Sequence, residues 1–208
     1  MLTINPQAVK NPAAFLRPLN LQIFKTAAEY IESLAPNSFL DVGAGICLFD
    51  SILKLPENAV KTACDIRLDN LLEGRNVLSQ HNQSARLIRC WAQILPFKDN
   101  AFQSAAILTV FINIADSEVV YNILQEMRRV IMPGGFAVFE FRNAWNFPLR
   151  FKHWLNKFVE KRLPVMAFSR RQFAKMLHNT GWREEKILPV WPLAGAFTPS
   201  YIVVARKP

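Results

Sequence analysis

Two glycines and one carboxylate in the first third of the chain have the spacing of a cofactor site. Gly43 and Gly45 lie where a short apolar stretch, 39–42, runs into a sequence with helical periodicity. Glycine allows a sharp turn and the close approach of a ligand, and the N-terminus of the following helix favours negative charge. Asp65 ends the next strand-like stretch, 22 residues after Gly43, where its carboxylate can accept hydrogen bonds from ribose hydroxyls. The pattern predicts a nucleoside-containing cofactor at this turn.

The cofactor that this turn can hold is either a nicotinamide dinucleotide or S-adenosylmethionine. A dinucleotide turn has a third glycine in the pattern G-x-G-x-x-G, and Leu48 occupies that position here. Because S-adenosylmethionine has no phosphate group to cradle, a looser turn suffices for it. The pattern therefore favours S-adenosylmethionine, and the remaining alternative is a tight strand–helix turn that binds no ligand.

Strand-like and helix-like stretches alternate along most of the chain. Strands are predicted at 39–42, 60–65, 86–91, 104–111, 136–141, 182–190 and 199–205, and helices at 7–34, 46–55, 68–80, 117–131 and 169–180. This alternation, with a closing hairpin, predicts an α/β fold: a doubly wound, mostly parallel sheet of seven strands, with an antiparallel last strand and helices on both faces. We expect one domain over residues 1–208, with an N-terminal helical segment at 1–38 and an insertion at 142–168.

Composition excludes several classes of protein. The 208 residues are 51% hydrophobic, which rules out a disordered chain, and their number suits one domain. The longest apolar runs fall short of the roughly 18–20 residues that a membrane-spanning helix needs, and the first residues do not have the pattern of a secretory signal. Cys47, Cys64 and Cys90 are too irregularly spaced for a disulfide framework or a zinc site. We therefore expect a reduced, cytoplasmic protein without a metal.

Five stretches resemble, in the same order, the motifs of class I S-adenosylmethionine-dependent methyltransferases of the small-molecule type. They are Leu-Asp-Val-Gly-Ala-Gly at 40–45, Ala-Cys-Asp at 63–65, Leu-Pro-Phe-Lys-Asp-Asn-Ala-Phe at 95–102, the stretch 127–135 with its Pro-Gly-Gly, and 169–181 with the closing 201–208. The resemblance implies a Rossmann-like sheet and S-adenosylmethionine as the cofactor. It also implies roles for individual residues.

The implied cofactor contacts follow the order of the cofactor's parts. They are Asp41, Gly43, Ala44 and Gly45 around the methionine end, Asp65 at the ribose, Ile66, Trp91 and Ala92 at the adenine, and Thr109 near the methyl group. The Asp41 carboxylate would help to hold the ammonium group of the cofactor.

The chain departs from the family's pattern at several positions. Cys47 replaces the third glycine of the first motif, so its side chain would have to fit beside the cofactor, and Trp91 replaces the acid that contacts the adenine. Gln103 stands in place of another common acid, and Ile112 and Asn113 stand where many relatives have histidines. These departures support an alternative interpretation, in which the chain is a non-catalytic binding module with a methyltransferase-like fold.

Methyl transfer is an in-line displacement from a sulfonium, so the leaving group needs no acid. A base is needed only where the acceptor must lose a proton, and the sequence offers no convincing one. His153 and Asn113 are weak candidates for a catalytic role. Together with Arg142, which borders the expected pocket, they are also candidates for contact with the substrate.

Most of the positive charge is concentrated in one segment. The net charge of the chain is +9, and residues 142–175 carry nine basic side chains and a single acidic one, interleaved with aromatic residues. Three interpretations remain open for this segment: a lid over the acceptor pocket, peripheral contact with an anionic membrane, or contact with nucleic acid. The corresponding acceptors are a small molecule, a lipid-linked molecule or, less favoured, RNA.

Overall fold

The computed structural model describes residues 18–146, 166–191 and 197–208, which form one sheet with helices packed on it. The strands are β1 (Ser38–Val42), β2 (Val60–Asp65), β3 (Arg86–Arg89), β4 (Phe102–Ile107), β5 (Ile131–Arg142), β6 (Arg183–Val190) and β7 (Ser200–Arg206). The helices are α1 (Pro18–Leu34), α2 (Leu48–Ile52), α3 (Leu68–Gln80), α4 (Ser117–Val130) and α5 (Arg170–Asn179), with a 3₁₀ turn at Phe111–Asn113.

The order of the strands confirms the predicted doubly wound topology. The seven strands are arranged β3-β2-β1-β4-β5-β7-β6; β1 to β5 are parallel to their neighbours, and β7 runs antiparallel to β5 and β6. The chain leaves β1 towards β2 and β3 and then returns to place β4 on the other side of β1. The carboxyl ends of β1 and β4 therefore border a topological switch point, where open α/β sheets bind ligands.

Residues of the central strands alternate between two apolar clusters, one on each face of the sheet. In β5, Ala137 and Phe139 belong to the cluster that packs on α4 and α5, whereas Phe136 and Val138 belong to the cluster under α1 and α2. This period of two within an almost wholly apolar strand is typical of a sheet covered by helices on both faces.

Helix α4 buries the apolar face that its periodicity predicts, whereas on α1 two residues of the predicted face, Leu21 and Leu34, are exposed. The buried residues of α1 are Ile23, Phe24, Ala27, Ala28 and Ile31, and those of α4 are Val120, Ile123, Leu124, Met127 and Val130. The predicted start of the last helix is also confirmed, since Ser169 and Gln172 form a reciprocal capping box at the N-terminus of α5. Gly181, with φ 79°, follows its C-terminal end.

Four predicted element boundaries were wrong, two of them beside residues with positive φ. Helix α2 begins at Leu48 rather than at 46 because Cys47 adopts a left-handed conformation with φ 56°. Strand β4 ends at Ile107 rather than at 111, shortly before Thr109, which has φ 58°. Strand β3 ends at Arg89, and β5 begins at Ile131 instead of after the Pro-Gly-Gly turn.

Among the described residues, no helix is both long enough and apolar enough to span a membrane. Residues 1–17 of the N-terminal segment and most of the 142–168 insertion, including His153, lie outside the described residues. The expectations for them stay predictions.

Candidate cofactor site

A small pocket of about 10 Å³ lies at the carboxyl ends of β1 and β4, where the topology predicts a ligand site. It is lined by Phe24 of α1, by Asp41, Gly43 and Ala44 at the end of β1 and in the glycine turn, by Leu48 and Phe49 of α2, and by Leu108 and Thr109 after β4. Asp41, Gly43, Ala44 and Thr109 were expected from the sequence to contact the cofactor. The structure brings these four together around one cleft.

The backbone of the glycine turn is fixed by hydrogen bonds to β2. The N–H groups of Gly43 and Ala44 both donate to the carbonyl oxygen of Cys64, at 2.8 and 2.9 Å. Gly43 has φ 77°, and a Cβ atom built on it would lie 2.4 Å from a methyl carbon of Val110. Only glycine suits position 43, because both the conformation and the close approach of Val110 exclude a side chain.

Asp65 is held at the tip of β2 beside the same turn. Its Oδ2 accepts a hydrogen bond from the N–H of Gly45 at 2.9 Å, and its Oδ1 accepts from the N–H of Arg67 at 2.8 Å and from the Asn70 side chain at 3.3 Å. Burial raises the pKa of Asp65 above its usual value, while these hydrogen bonds oppose the rise. The carboxylate is oriented by three donors and lies next to the turn, which suits the ribose contact expected of it.

Asp41 has a buried acidic neighbour that the sequence reasoning missed. Asp41 is 3% exposed and Asp50, on α2, is fully buried. Burial, followed by the charge of Asp50 and a hydrogen bond with its carboxyl group, raises the pKa of Asp41 well above its usual value. The signal in the sequence was an acidic residue inside the otherwise apolar stretch 46–53.

Lys61 of β2 supplies a positive charge beneath these acids. Its Nζ donates to the carbonyl oxygens of Asp50 and Leu53, at 2.9 and 3.1 Å, and to Oε1 of Gln83 at 2.6 Å. Burial lowers the pKa of Lys61, and the negative charge of Asp50 opposes that change. Lys61 therefore both caps the C-terminal end of α2 and balances charge near the pocket.

The structure corrects the expectation that the side chain of Cys47 lies beside the cofactor. Cys47 is buried with Ala63 of β2 and Leu78 of α3, and it is absent from the lining of the pocket. A Cβ atom built on Gly74 of α3 would lie 2.7 Å from the Cys47 Sγ. Gly74, on the facing helix α3, therefore leaves the space that the side chain of Cys47 occupies.

Gly74→Ala is expected to destabilise the protein by about 1–2 kcal/mol, because the new methyl group overlaps the Cys47 thiol in a packed interior. The free energy of unfolding from urea denaturation measures this. In the Gly74→Ala/Cys47→Ala double variant we expect part of the loss to be recovered. Equal stabilities for the two variants would show that the thiol does not fill the space at Gly74.

The residues expected at the adenine are not gathered in the pocket that Asp41 lines. Trp91 is 45% exposed and borders a separate surface groove with Ile94 and, from α4, Asn122 and Gln125. Ala92 packs against the core, and Ile66 is partly buried. Their contact with adenine stays a prediction, and the Trp91 side chain does not fill the pocket.

Thr109 is held in a conformation that is rare for a β-branched residue. Its N–H donates to Oε2 of Glu140 at 3.0 Å, and its carbonyl oxygen accepts from the Asn113 side-chain amide at 3.1 Å. Such strain, fixed by surrounding contacts, is concentrated at functional sites. It directs the chain across the mouth of the pocket, and the Asn113 amide takes part in that local structure.

Arg142, a candidate for contact with the substrate, lies in a buried ionic network. It is 7% exposed; its Nε lies 3.4 Å from Oε1 of Glu140, and its guanidinium donates to Oδ1 of Asn20 on α1 at 2.9 Å. Glu140, which the sequence reasoning missed, also accepts a hydrogen bond from the Ser200 hydroxyl. The network joins α1, β5 and β7 behind Thr109, and contact between Arg142 and an acceptor stays a prediction.

The described part of the basic segment is less uniform than its sequence suggests. The charge of Arg142 is buried and paired, and Phe168 is part of the apolar core. Exposed basic side chains are found on α5 at Arg170, Arg171 and Lys175. Among the described residues of this segment, the charge available to a partner therefore lies on α5.

The sequence matches one protein family and a relative within it. Residues 21–189 match the ubiE/COQ5 methyltransferase family. Over 107 residues, half of this chain, the sequence is 32% identical to the ubiquinone/menaquinone biosynthesis C-methyltransferase UbiE of Hahella chejuensis, and the matched stretch covers 38% of that relative's length.

Solved structures share the fold at low sequence identity. The magnesium protoporphyrin IX methyltransferase of Synechocystis, solved with S-adenosylhomocysteine, superposes with a TM-score of 0.76 at 13% identity, covering 95% of this chain and 88% of that one. The N-methyltransferase NodS of Bradyrhizobium japonicum, in complex with the same compound, gives 0.72 at 13% identity over 97% and 95%. At these identities the likeness shows the fold.

The family match confirms the resemblance to class I S-adenosylmethionine-dependent methyltransferases. It spans the glycine turn, Asp65, every residue that lines the pocket and strands β1 to β5. The chain therefore belongs to the ubiE/COQ5 methyltransferase family.

Proposed function

We propose that the protein transfers the methyl group of S-adenosylmethionine to a small acceptor by in-line displacement. The observation that carries this proposal is the cleft at the switch point, where Asp41, Gly43, Ala44 and Thr109 meet beside the oriented carboxylate of Asp65. Membership of a methyltransferase family supports it. The chain's own residues would bind and orient the cofactor, and the cofactor would supply the electrophilic methyl group.

The fixed groups of the pocket suit the two polar ends of this cofactor. Asp65 would accept hydrogen bonds from the ribose hydroxyls, and Asp41 would face the ammonium group at the methionine end. Thr109, on its strained turn, would border the methyl group. Positioning of the reacting atoms at about 3–3.5 Å supplies much of the rate in such a displacement, so a dedicated base is needed only for an acceptor that must lose a proton.

We further propose an electron-rich ring of a quinone precursor as the acceptor, with a carbon atom as the site of methylation. The C–CH3 bond forms as the sulfonium C–S bond breaks, and the ring carbon then gives its proton to solvent, which restores the aromatic ring. The support is the name of the Hahella relative, a C-methyltransferase of ubiquinone and menaquinone biosynthesis. Such precursors are lipid-linked, which agrees with the interpretation of residues 142–175 as a segment that contacts an anionic membrane. The exposed cations of α5 would then contribute about 1 kcal/mol each near a charged surface.

The alternative of a non-catalytic binding module loses two of its supports. It depended in part on Cys47 and Trp91, yet the Cys47 side chain packs on α3 and the Trp91 side chain lies outside the pocket. Neither residue closes the cleft.

Purified protein supplied with methyl-labelled S-adenosylmethionine and a demethylated quinol precursor in anionic vesicles is expected to yield a labelled product with the methyl group on a ring carbon, identified by mass spectrometry. Zwitterionic vesicles carrying the same precursor should give a slower reaction, because the cations of α5 would lose their attraction to the surface. Transfer RNA, included as a third substrate, should remain unlabelled. Labelled RNA with unlabelled quinol would overturn the proposed acceptor.

The matched control for this assay is Asp65→Ala, which removes the proposed ribose contact. We expect this variant to leave the quinol unlabelled at a cofactor concentration that saturates the wild type. Equal labelling by the variant and the wild type would contradict the proposed binding mode.

A further inference from the structure

Two buried carboxyl groups interact next to the pocket: Asp41 on β1, which lines it, and Asp50 on α2. Both oxygens of Asp50 are buried and receive no hydrogen bond from any N–H or hydroxyl of the described residues. The carboxyl group of Asp41 is its hydrogen-bonding neighbour. Two carboxyl groups can form a hydrogen bond only when a proton lies between them, so the pair holds one proton.

The charges around the pair balance when it carries that single proton. Lys61 is held against the backbone of Asp50, and its positive charge offsets the one negative charge of the singly protonated pair. The thiol of Cys47 stays neutral, because burial and the nearby acids raise its pKa. Asp65 lies on the far side of Asp41 with its own three donors.

One further acid lies on the other side of the lysine. Glu32 of α1 acts on Lys61 through its charge, and its carboxylate accepts a hydrogen bond from the backbone N–H of Lys54 at 2.7 Å. Among the described residues, the other titratable groups around the pair are thus two acids, Asp65 and Glu32, two thiols, Cys47 and Cys64, and the amine of Lys61. None of them offers a second positive charge to an ionised Asp41.

We propose that Asp50 is a positioning residue of the cofactor site, which shares one proton with Asp41 until the cofactor's ammonium group displaces it. The inference depends on the proposed function, since it requires an ammonium group at Asp41. On binding, the O–H bond of Asp41 breaks, the proton passes to solvent, and Asp50 remains a carboxylate beside Lys61. A buried ammonium facing a neutral acid would lack a countercharge, which is costly, whereas an ionised Asp41 provides it.

The electrostatics of the pair support the assignment of the proton. Burial raises the pKa of Asp50 to about 6, and the hydrogen bond with Asp41 and the charge of Lys61 oppose a larger rise. The pKa of Asp41 is raised well above its usual value. Two buried carboxyl groups that interact in this way do not both ionise readily, so the proton belongs to the pair. The affinity for the cofactor should rise with pH, because the released proton must go into a solution that holds fewer protons.

Calorimetric titration of the wild-type protein with S-adenosylhomocysteine at pH 7 tests this, in two buffers of different ionisation enthalpy such as phosphate and Tris. We expect the observed enthalpies to differ by the amount that the release of nearly one proton requires. The dissociation constant should fall as the pH rises, by at most about tenfold for each pH unit per proton released. Binding with the same enthalpy in both buffers would overturn the inference and leave the proposed function intact.

Two variants identify the source of the proton. In Asp50→Asn the side-chain amide can donate to Asp41 and keep it ionised, so the variant should bind S-adenosylhomocysteine with little proton release. Glu73→Gln, which removes an exposed carboxylate of α3, should release as many protons as the wild type. Undiminished release by Asp50→Asn would assign the proton to another group, such as Asp65, and refute the role of Asp50.

The remaining outcomes are also decisive. If Asp50→Asn does not fold, the wild-type comparison between buffers decides the matter without it. A folded wild-type protein that takes up no S-adenosylhomocysteine would refute the proposed function, and the inference about Asp50 would be refuted with it.

Discussion

Asp65→Ala should weaken the binding of S-adenosylhomocysteine at least about 100-fold. The expected ribose contacts are two hydrogen bonds to a charged acceptor, each worth about 1.5–3 kcal/mol, and tenfold in affinity corresponds to about 1.4 kcal/mol. The carboxylate also orients the turn by accepting from the N–H of Gly45, so its removal loosens the backbone of the site. Isothermal titration calorimetry of the two proteins measures the difference.

Two controls separate a loss of contact from a loss of structure. Thermal melting without ligand shows how much folded Asp65→Ala is present, since the Gly45 and Arg67 N–H groups lose their acceptor in this variant. Glu73→Gln removes an exposed carboxylate and should bind as the wild type does. A folded Asp65→Ala protein with wild-type affinity would rule out the ribose assignment.

Glu140→Gln is the substitution from which we expect the largest loss of stability, about 3 kcal/mol. Glu140 is 1% exposed, and its neutralisation leaves the guanidinium of Arg142 buried with no charged partner among the residues that the structure describes. The same carboxylate accepts from the backbone of Thr109, so the strained turn at the pocket loses a charged acceptor. Urea denaturation followed by circular dichroism gives the free energy of unfolding.

The ion pair can be distinguished from the packing around it. Glu140→Gln/Arg142→Met removes both charges but keeps an amide oxygen as an acceptor at position 140, and it should be more stable than Glu140→Gln alone, since no charge is then buried without a partner. Glu185→Gln breaks a partly exposed ion pair with Arg206 and should cost at most about 1 kcal/mol. A Glu140→Gln protein as stable as Glu185→Gln would mean that the Arg142 charge does not depend on Glu140.

The sequence allowed the fold and the position of the glycine turn to be predicted, because both depend on local patterns. Alternating apolar stretches indicate a parallel sheet, and a glycine turn followed by Asp65 marks the switch point. The boundaries around the pocket were harder, because Cys47 and Thr109 adopt positive φ values that few side chains favour. Tertiary contacts impose these conformations, and no local pattern predicts them.

The residues that were missed belong to buried networks between distant parts of the chain. Glu140 contacts Ser200, 60 positions away, and Lys61 reaches the end of a helix that precedes its strand. Asp50 lies next to Asp41 only because α2 packs over β1. A single sequence contains no periodic signal for such pairs; their only trace is a charged residue in an apolar setting.

The concentration of positive charge was the feature on which the sequence was least informative. Counting charges treated Arg142 as part of a basic surface, whereas it lies buried beside Glu140. The charge that remains exposed among the described residues of the segment lies on α5. This supports contact between one face of the protein and an anionic partner, as proposed for a lipid-linked acceptor.

A crystal structure of the protein with S-adenosylhomocysteine tests the central claim most directly. We predict density for the ligand in the cleft between β1 and β4, with its ribose hydroxyls on the carboxylate of Asp65 and its ammonium group on Asp41. Thr109 should lie beside the sulfur atom. An empty cleft at millimolar ligand, or ligand bound only in the surface groove at Trp91 and Ile94, would contradict the account.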